Sequence, residues 1–481
     1  MQKRIRRGGL ERKRTASFAV KIQNTKLSKP FRFELSNGVA IVGENIPSVE
    51  SIAIGMWVNV GSRDEKKEEN GLTHLIEHMA FKGTGHFTAE EMVESVENRG
   101  GYINAFTTKE FSCYYAKVFK ADIEAAVRVL SDLILYPKFS ENDLRNERKV
   151  VLAEMQEVYD DPEDWGMDFL EEKIFDGNSL SMPILGKSSA LKGFGVRDLF
   201  AFHSRNFTAE RIVVSIAGNF DRGLLMNLAD KYLSPAAASS RFLKKKSAGG
   251  GRRLLSSEGP EGPHGKFRPV TSSREYVVHR DTGKQGHVLA AFPAAGLNDP
   301  DRYACSMAGV ILGDGSSSRL HKELREKEGL AYSIYSYGSA YYDTGILGIY
   351  SCTGVKDVLK VEKKIIKVVE EFLRNGPTKD EVDRAKAQLK AGIIFSLESL
   401  WDRASLFARD ELYYCERSSL SESLAAIEKV TDADIALAAK KYLTPQDGLP
   451  RTKQKMGSGT SDRLISLKIL PNENNVVRRS R

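Results

Sequence analysis

Two hydrophobic periods alternate along the chain. Early on, "RFELSNGVAIVGENI" and "SIAIGMWVNVGSRDE" set apolar residues at alternate positions, the period of a half-buried strand, and lead into glycine and acidic turns. "NGLTHLIEHMAF" then changes period: Leu72, Leu75, Ile76 and Met79 fall at i, i+3, i+4 and i+7, which predicts a largely buried helix. "AEEMVESVENRGGYINAFTTKEFSCYYAKVF" predicts another helix and paired strands, with Tyr102–Thr107 as a strand after a double glycine. Long helical stretches occupy 121–158, and "VRDLFAFHSRNF" predicts a closing helix.

The same order returns past the middle. "EYVVHRD" and "HVLAAFPAAGLNDPD" read as strands, "RYACSMAGVIL" as a helix, and "SSRLHKELREKEGLAYSIYSYGSAYYDTGILGIYSC" as a helix with paired strands. Helical stretches over 356–400 and a last helix in "DADIALAAKKYL" complete the match. The pattern predicts an α+β chain of two homologous halves, each a mostly antiparallel sheet with helices packed on one face. The expected divisions are a basic N-terminal arm (1–29), a first domain (30–233), a Gly/Ser/Pro-rich linker (234–273), a second domain (274–446) and a basic C-terminal tail (447–481). Within the tail, "RLISLKIL" is the candidate for a final strand of the second half.

Length and composition agree with this picture. The 481 residues exceed one ordinary domain, and 41% hydrophobic with 28% charged residues is a globular balance. No apolar run approaches the roughly 20 residues of a membrane span. The net charge of +8 concentrates in "MQKRIRRGGLERKR", "RFLKKKSAGGGRR" and "NNVVRRSR", so it reads as solvated arms and a linker, and no nucleic-acid partner is expected. Cys113, Cys305, Cys352 and Cys415 form no CxxC pair, which points to a reducing compartment and excludes a cysteine-built zinc site. The opening segment lacks the apolar stretch of a secretory signal. A bacterial-type cytoplasmic protein is expected, with the mitochondrial matrix as the alternative.

The halves differ in one helix. "HLIEH" puts His74 and His78 one turn apart on one face with Glu77 beside them, whereas "ACSMAGVIL" carries neither histidine nor carboxylate. Two readings are open from these five residues: a metal site with an adjacent base, or a buried helix whose histidines are satisfied locally. Three ionisable groups in an apolar helix need a partner. Catalytic zinc takes three protein ligands, so a third must come from elsewhere. In "ENDLRNERKVVLAEMQEVYDD" the apolar stripe of a helix is Leu144, Val151, Met155 and Val158. Glu147 and Glu154 project within about 20° of each other at its edge, while Glu157 points further toward solvent. Glu154 is the candidate third ligand and Glu147 its neighbour.

"HLIEHMAFKGT", followed 76 residues after His78 by the first glutamate of "AEMQEV", resembles the pitrilysin/insulinase (M16) metallopeptidases. The likeness is greatest to the processing-peptidase branch, which includes the mitochondrial β subunit and small bacterial relatives. It extends to "VNVGSRDE", "GGYINAFTTKE" and "SSRLHKELREKEGLAYS". The resemblance implies a zinc metalloendopeptidase of the inverzincin type with the two-domain fold of that family. It also implies one Zn2+ per chain on His74, His78 and Glu154, and a zinc-bound water activated by Glu77 as general base. Glu147 would be an auxiliary acid. Asn104 and Ala105 would hold the substrate backbone, and Arg325 and Tyr332 would bind substrate and steady the oxyanion.

Extended peptides or presequence-like segments are the implied substrates. The acidic stretch 159–176, with eight acidic residues and one lysine, favours basic ones if it lines the cleft. A homodimer, or a heterodimer with a related subunit, is the expected assembly. The alternative function is a catalytically silent scaffold or partner subunit of the same fold.

Overall fold

The computed structural model describes residues 30–239, 274–414, 420–443 and 464–472. The expected N-terminal arm, most of the linker and much of the C-terminal tail lie outside the described residues.

The first half runs β1 (Phe31–Glu34), β2 (Ala40–Asn45), β3 (Ser51–Val58), α1 (Leu72–Ala80), α2 (Ala89–Glu97), β4 (Tyr102–Thr107), β5 (Ser112–Phe119), α3 (Ile123–Leu135), α4 (Glu141–Asp160), α5 (Pro162–Ile174), α6 (Ser188–Gly193), α7 (Val196–Asn206), β6 (Ile212–Gly218) and α8 (Arg222–Leu233). The second runs β7 (Arg274–Arg280), β8 (Gln285–Ala294), α9 (Arg302–Gly313), a π-helical segment (His321–Lys327), β9 (Ala331–Ala340), β10 (Gly345–Gly354), α10 (Val358–Asn375), α11 (Lys379–Ser396), α12 (Leu400–Tyr413), α13 (Leu420–Lys429), α14 (Asp432–Leu443) and β11 (Ile465–Pro471). Among the described residues no helix is long and apolar enough to cross a membrane.

The strands order as β1-β2-β6-β3-β5-β4 and β7-β11-β8-β10-β9. In the first sheet β6 is parallel to β2 and antiparallel to β3; in the second, β11 is parallel to β7 and antiparallel to β8. The remaining pairs are antiparallel. Apart from the additional edge strand β1, the two sheets therefore share one topology, and β11 stands where β6 stands. The stretch "RLISLKIL" does supply the missing strand, so a division at 446 leaves out an interior strand of the second sheet. Ile465, Leu467 and Ile469 are fully buried. Nearly every residue of the strand is buried because neighbours flank it on both sides and both faces of the sheet are covered.

Each half packs its own helices on one face, as the pattern predicts, around two separate cores. The opposite faces are covered by exchange. Helix α5 leaves the first half and lies on β8 and β11, where Leu170 and Ile174 join Leu289, Ile465 and Ile469. A Cβ on Gly166 would come within 2.9 Å of Leu289, so this glycine sets how closely the helix approaches the sheet. Reciprocally, α12 of the second half lies on β2, β3 and β6, with Phe407 and Leu412 packed beside Trp57 and Val213.

Buried charge joins the halves as well. Arg63 Nη1 donates to Glu110 at 2.6 Å and Nη2 to Asp343 at 2.7 Å, while Glu110 also accepts from the Tyr413 hydroxyl at 2.9 Å and the Tyr342 amide at 3.1 Å. These bonds replace most of the lost water contacts, as buried charge requires, and leave Arg63 Nε without a hydrogen-bond partner among the described residues. Opening the halves would expose this network.

Candidate metal centre

Helix α1 lies beside β4 and against α4. His74 and His78 point off one face of α1, and their rings are 4.6 Å apart between centroids. Helix α4 is capped by Ser140, whose hydroxyl accepts from the Asp143 amide, and its buried Leu144 and Val151 turn Glu147 and Glu154 toward α1. His74 Nε2 lies 3.7 Å and His78 Nε2 3.5 Å from Glu154 Oε2. The three ligand atoms sit within 4.8 Å of one another.

These separations suit a tetrahedral ion. With zinc–nitrogen and zinc–oxygen bonds of roughly 2.0–2.2 Å, neighbouring ligand atoms stand about 3.3–3.6 Å apart. The donor set, two imidazoles and one carboxylate, is one that zinc accepts. Burial, with His78 alongside, pushes His74 down to about 4 against the pull of Glu154, so its ring is neutral near pH 7. For His78, burial also opposes charge, but Glu154 and Glu147 outweigh it and raise the group. Glu154 is lowered, chiefly by its contact with His78.

Glu147 is 6% exposed and sits behind His78: its Oε2 is 3.2 Å from Nδ1, and Lys82 donates to Oε1 at 2.8 Å. A carboxylate in that place fixes the Nδ1–H tautomer and leaves the Nε2 lone pair free. Glu77 lies beside the three ligand atoms rather than among them. Thr107, at the end of β4, donates its hydroxyl to Glu77 Oε2 at 2.5 Å. Burial raises the Glu77 carboxyl, while the Thr107 hydroxyl and His78 lower it. Glu157 is exposed, as the helical projection predicts.

Strand β4 forms the edge of the first sheet, with only β5 paired to it. Asn104 is exposed there; its Oδ1 accepts from the Ala105 amide at 2.8 Å and its Nδ2 donates to the Tyr102 hydroxyl at 2.7 Å. Arg325 and Tyr332 are not drawn in. Arg325 is exposed on the π-helical segment, and Tyr332 is 64% exposed at the start of β9, the edge of the other sheet. Among the described residues neither makes a hydrogen bond or ion pair with His74, Glu77, His78 or Glu154.

The acidic stretch is resolved into engaged and unengaged carboxylates. Glu163 accepts from the Tyr335 hydroxyl and Glu171 from the Tyr341 hydroxyl; Asp161 caps α5, Glu172 meets Lys173 and Asp176 meets Arg274. Asp164 and Asp168 have no ion-pair partner among the described residues and lie one turn apart on α5. Crowding by protein, offset in part by Lys109, lifts Asp168 to about 6, and burial with Asp161 and Glu163 also raises Asp164.

Thr107 and Lys82 escaped the sequence reading. Lys82 lies one helical turn beyond His78, a spacing that could have flagged it; α1 has ended by then, however, and its meeting with Glu147 is tertiary. Thr107 carries no local signal for its contact with Glu77.

Residues 40–188 match the family model of insulinase (peptidase family M16), and residues 194–389 match that of the peptidase M16 inactive domain. A Bacillus subtilis protein named as the uncharacterized zinc protease YmxG is 34% identical over 86% of this chain and 95% of its own length. The mitochondrial-processing peptidase subunit beta of Lentinula edodes is 32% identical over 86% of this chain and 87% of its own. The crystal structure of a protease from Helicobacter pylori shares the fold, with a TM-score of 0.80 at 21% identity, covering 92% of this chain and all of that one. On the two family models and on identity across most of its length, the chain belongs to the insulinase (M16) peptidase family, in its processing-peptidase-like branch.

Proposed function

We propose that the chain is a zinc-dependent endopeptidase that hydrolyses extended peptides or presequence-like segments. The observation that carries this reading is the meeting of His74 Nε2, His78 Nε2 and Glu154 Oε2 within 4.8 Å, with the Glu77 carboxylate beside them. Relatives named as zinc proteases agree with it.

His74, His78 and Glu154 would hold one zinc ion, which supplies Lewis acidity and brings the pKa of a water toward about 7. Glu77 is the general base: one carboxylate oxygen takes the proton from the attacking water and later returns it to the departing amine nitrogen. The Thr107 hydroxyl pins Oε2 and so sets the plane of that carboxylate. Glu147 holds His78 in its ligating tautomer, and Lys82 balances the charge of Glu147. The free edge of β4 accepts the peptide as an added strand, with Asn104 and Ala105 along the contact. Cleavage of a peptide library with and without a chelator tests the reading; undiminished cleavage in excess chelator would contradict it.

Substrate charge follows from α5. Helix α5 continues from the helix that carries Glu154, and Asp164 and Asp168 are its two uncommitted carboxylates. Arg-rich peptides should be cleaved with higher kcat/KM than acidic peptides of equal length, and the ratio should shrink as salt rises. The pH dependence has a definite sign. Asp168 titrates at about 6, so its charge is present above that pH and lost below it. The basic-to-acidic ratio should therefore fall as pH drops through 6; taking the ratio cancels the titration of Glu77. A ratio of one at all ionic strengths would discard the preference.

Arg325 and Tyr332 join the site through a second subunit. Among its described residues each chain offers one candidate metal cluster and, elsewhere, Arg325 on the π-helical segment and Tyr332 on the edge strand β9, neither bonded to that cluster. A head-to-tail dimer would bring each pair to its neighbour's metal. Mixing inactive Glu77→Gln protein with inactive Arg325→Ala protein should restore activity, up to about a quarter of wild type, because half the dimers are mixed and each has one intact site. No recovery despite demonstrated subunit exchange would put the whole site within one chain.

A further inference from the structure

Glu65 is a buried carboxylate with no task in the chemistry above, and it is 5% exposed. It follows the short turn Ser62–Asp64 and reaches forward to the start of α1. Its Oε2 accepts from the Gly71 amide at 2.8 Å and from Asn70 Nδ2 at 3.0 Å; its Oε1 accepts from the Thr73 amide at 2.7 Å. No side chain caps α1 from the N-cap position itself, because that residue is Gly71. Gly71 cannot readily be replaced there: its φ is +101°, and a Cβ would meet the backbone of Leu185 and Gly186 at 3.0 Å.

The first amides of a helix have no partner within it, and buried ones must find another. In α1 this matters more than usual. The helix has nine residues, and His74 is the third of them, inside the turn whose amides are unpartnered. Glu65 supplies acceptors for that turn from outside the helix, and when ionised it faces the positive end of the helix dipole. Burial pushes the Glu65 carboxyl up to about 7, and the Thr73 and Gly71 amides and the Asn70 side chain hold it down against that.

We propose that Glu65 is a positioning residue for the metal centre: by fixing the first turn of α1 it aims His74 Nε2 at Glu154, so zinc affinity depends on a carboxylate that never touches the metal. The inference rests on the reading that His74, His78 and Glu154 hold zinc.

Glu65→Gln tests it with almost no change of shape. Whichever way the amide is turned, its NH2 faces either the Thr73 amide or the Gly71 amide and Asn70, so one set of donors loses its acceptor. Asn70→Ala is the control: it removes the bonds of Asn70 to Glu65 and to Pro183 O but leaves both backbone amides of α1 capped. Zinc affinity would be measured by competition with a chromophoric chelator and ligand geometry by the absorption of the cobalt-substituted protein, with Tm recorded for each variant. Glu65→Gln should bind zinc about 10-fold or more weakly, the scale for groups that orient ligands, and should shift the cobalt spectrum. Asn70→Ala should lower Tm yet keep affinity and spectrum.

Glu65→Asp, with its charge one methylene short of Thr73, should also weaken binding, and it serves if Glu65→Gln gives no folded protein. Wild-type affinity in the folded Glu65 variants, or an equal loss in Asn70→Ala, would overturn the inference and leave the proposed function standing. Failure of the unaltered chain to bind zinc would overturn both.

Discussion

Glu77→Gln is expected to lower kcat by roughly 10²–10⁴-fold, the usual contribution of a positioned acid–base group, while fold and zinc content stay as in the wild type. The substitution is nearly isosteric and keeps an oxygen for the Thr107 hydroxyl, so the link between α1 and β4 persists. It removes only the ability to take and return a proton. Because Glu77 lies beside the three ligand atoms and is not one of them, the metal should not be lost with it. Steady-state cleavage of a fluorogenic peptide together with metal analysis checks both parts. Full activity would remove Glu77 from the mechanism, and loss of zinc would make it a ligand.

Much of this site can be read from local periodicity. The period of three and four in "GLTHLIEHMAF" places both histidines on one face, and α1 shows that face turned to α4. The seven-residue spacing of Glu147 and Glu154 puts both on the inner side of a helix, and in α4 both face the histidines while Glu157 is exposed. The strand Tyr102–Thr107 occurs with those bounds because a double glycine and a two-residue alternation delimit it. Repetition of the element order shows the doubled sheet, and the alternation in "RLISLKIL" marks the strand that completes the second copy.

What could not be read is tertiary. The stretch 159–176 reads as an acidic run and 400–413 lies beyond the helical stretch 356–400, so the sequence announces neither α5 and α12 nor their places on the other half's sheet. The fit at Gly166 depends on Leu289 and Ile469, far away in the chain. Thr107, Lys82 and Glu65 act through neighbours separated by loops, and a hydroxyl, an ammonium and a carboxylate of this kind are ordinary polar residues until the fold gives them partners: only Glu65 is buried, while Thr107 is half-buried and Lys82 stays exposed. Arg325 and Tyr332 are visible only through family resemblance, since the single chain gives them no partner in the site.

Glu154→Ala should abolish stoichiometric zinc binding. Zinc sites contribute about 10–16 kcal/mol shared among their ligands, so losing one of three protein ligands should cost roughly 3 kcal/mol or more, about 10²–10³-fold in affinity. Glu154 is the group that both histidines face, at 3.5 and 3.7 Å, and among the described residues no other carboxylate forms a metal-sized cluster with the two imidazoles. Glu157→Ala, one turn along the same helix but exposed, should change nothing at the metal. Metal analysis of the purified wild type, Glu154→Ala and Glu157→Ala, side by side, therefore tests the metal centre most directly. About one zinc per chain in the wild type and in Glu157→Ala, with none in Glu154→Ala, is the predicted result. No zinc in the wild type, or full zinc in Glu154→Ala, would contradict the assignment of these three side chains to a metal.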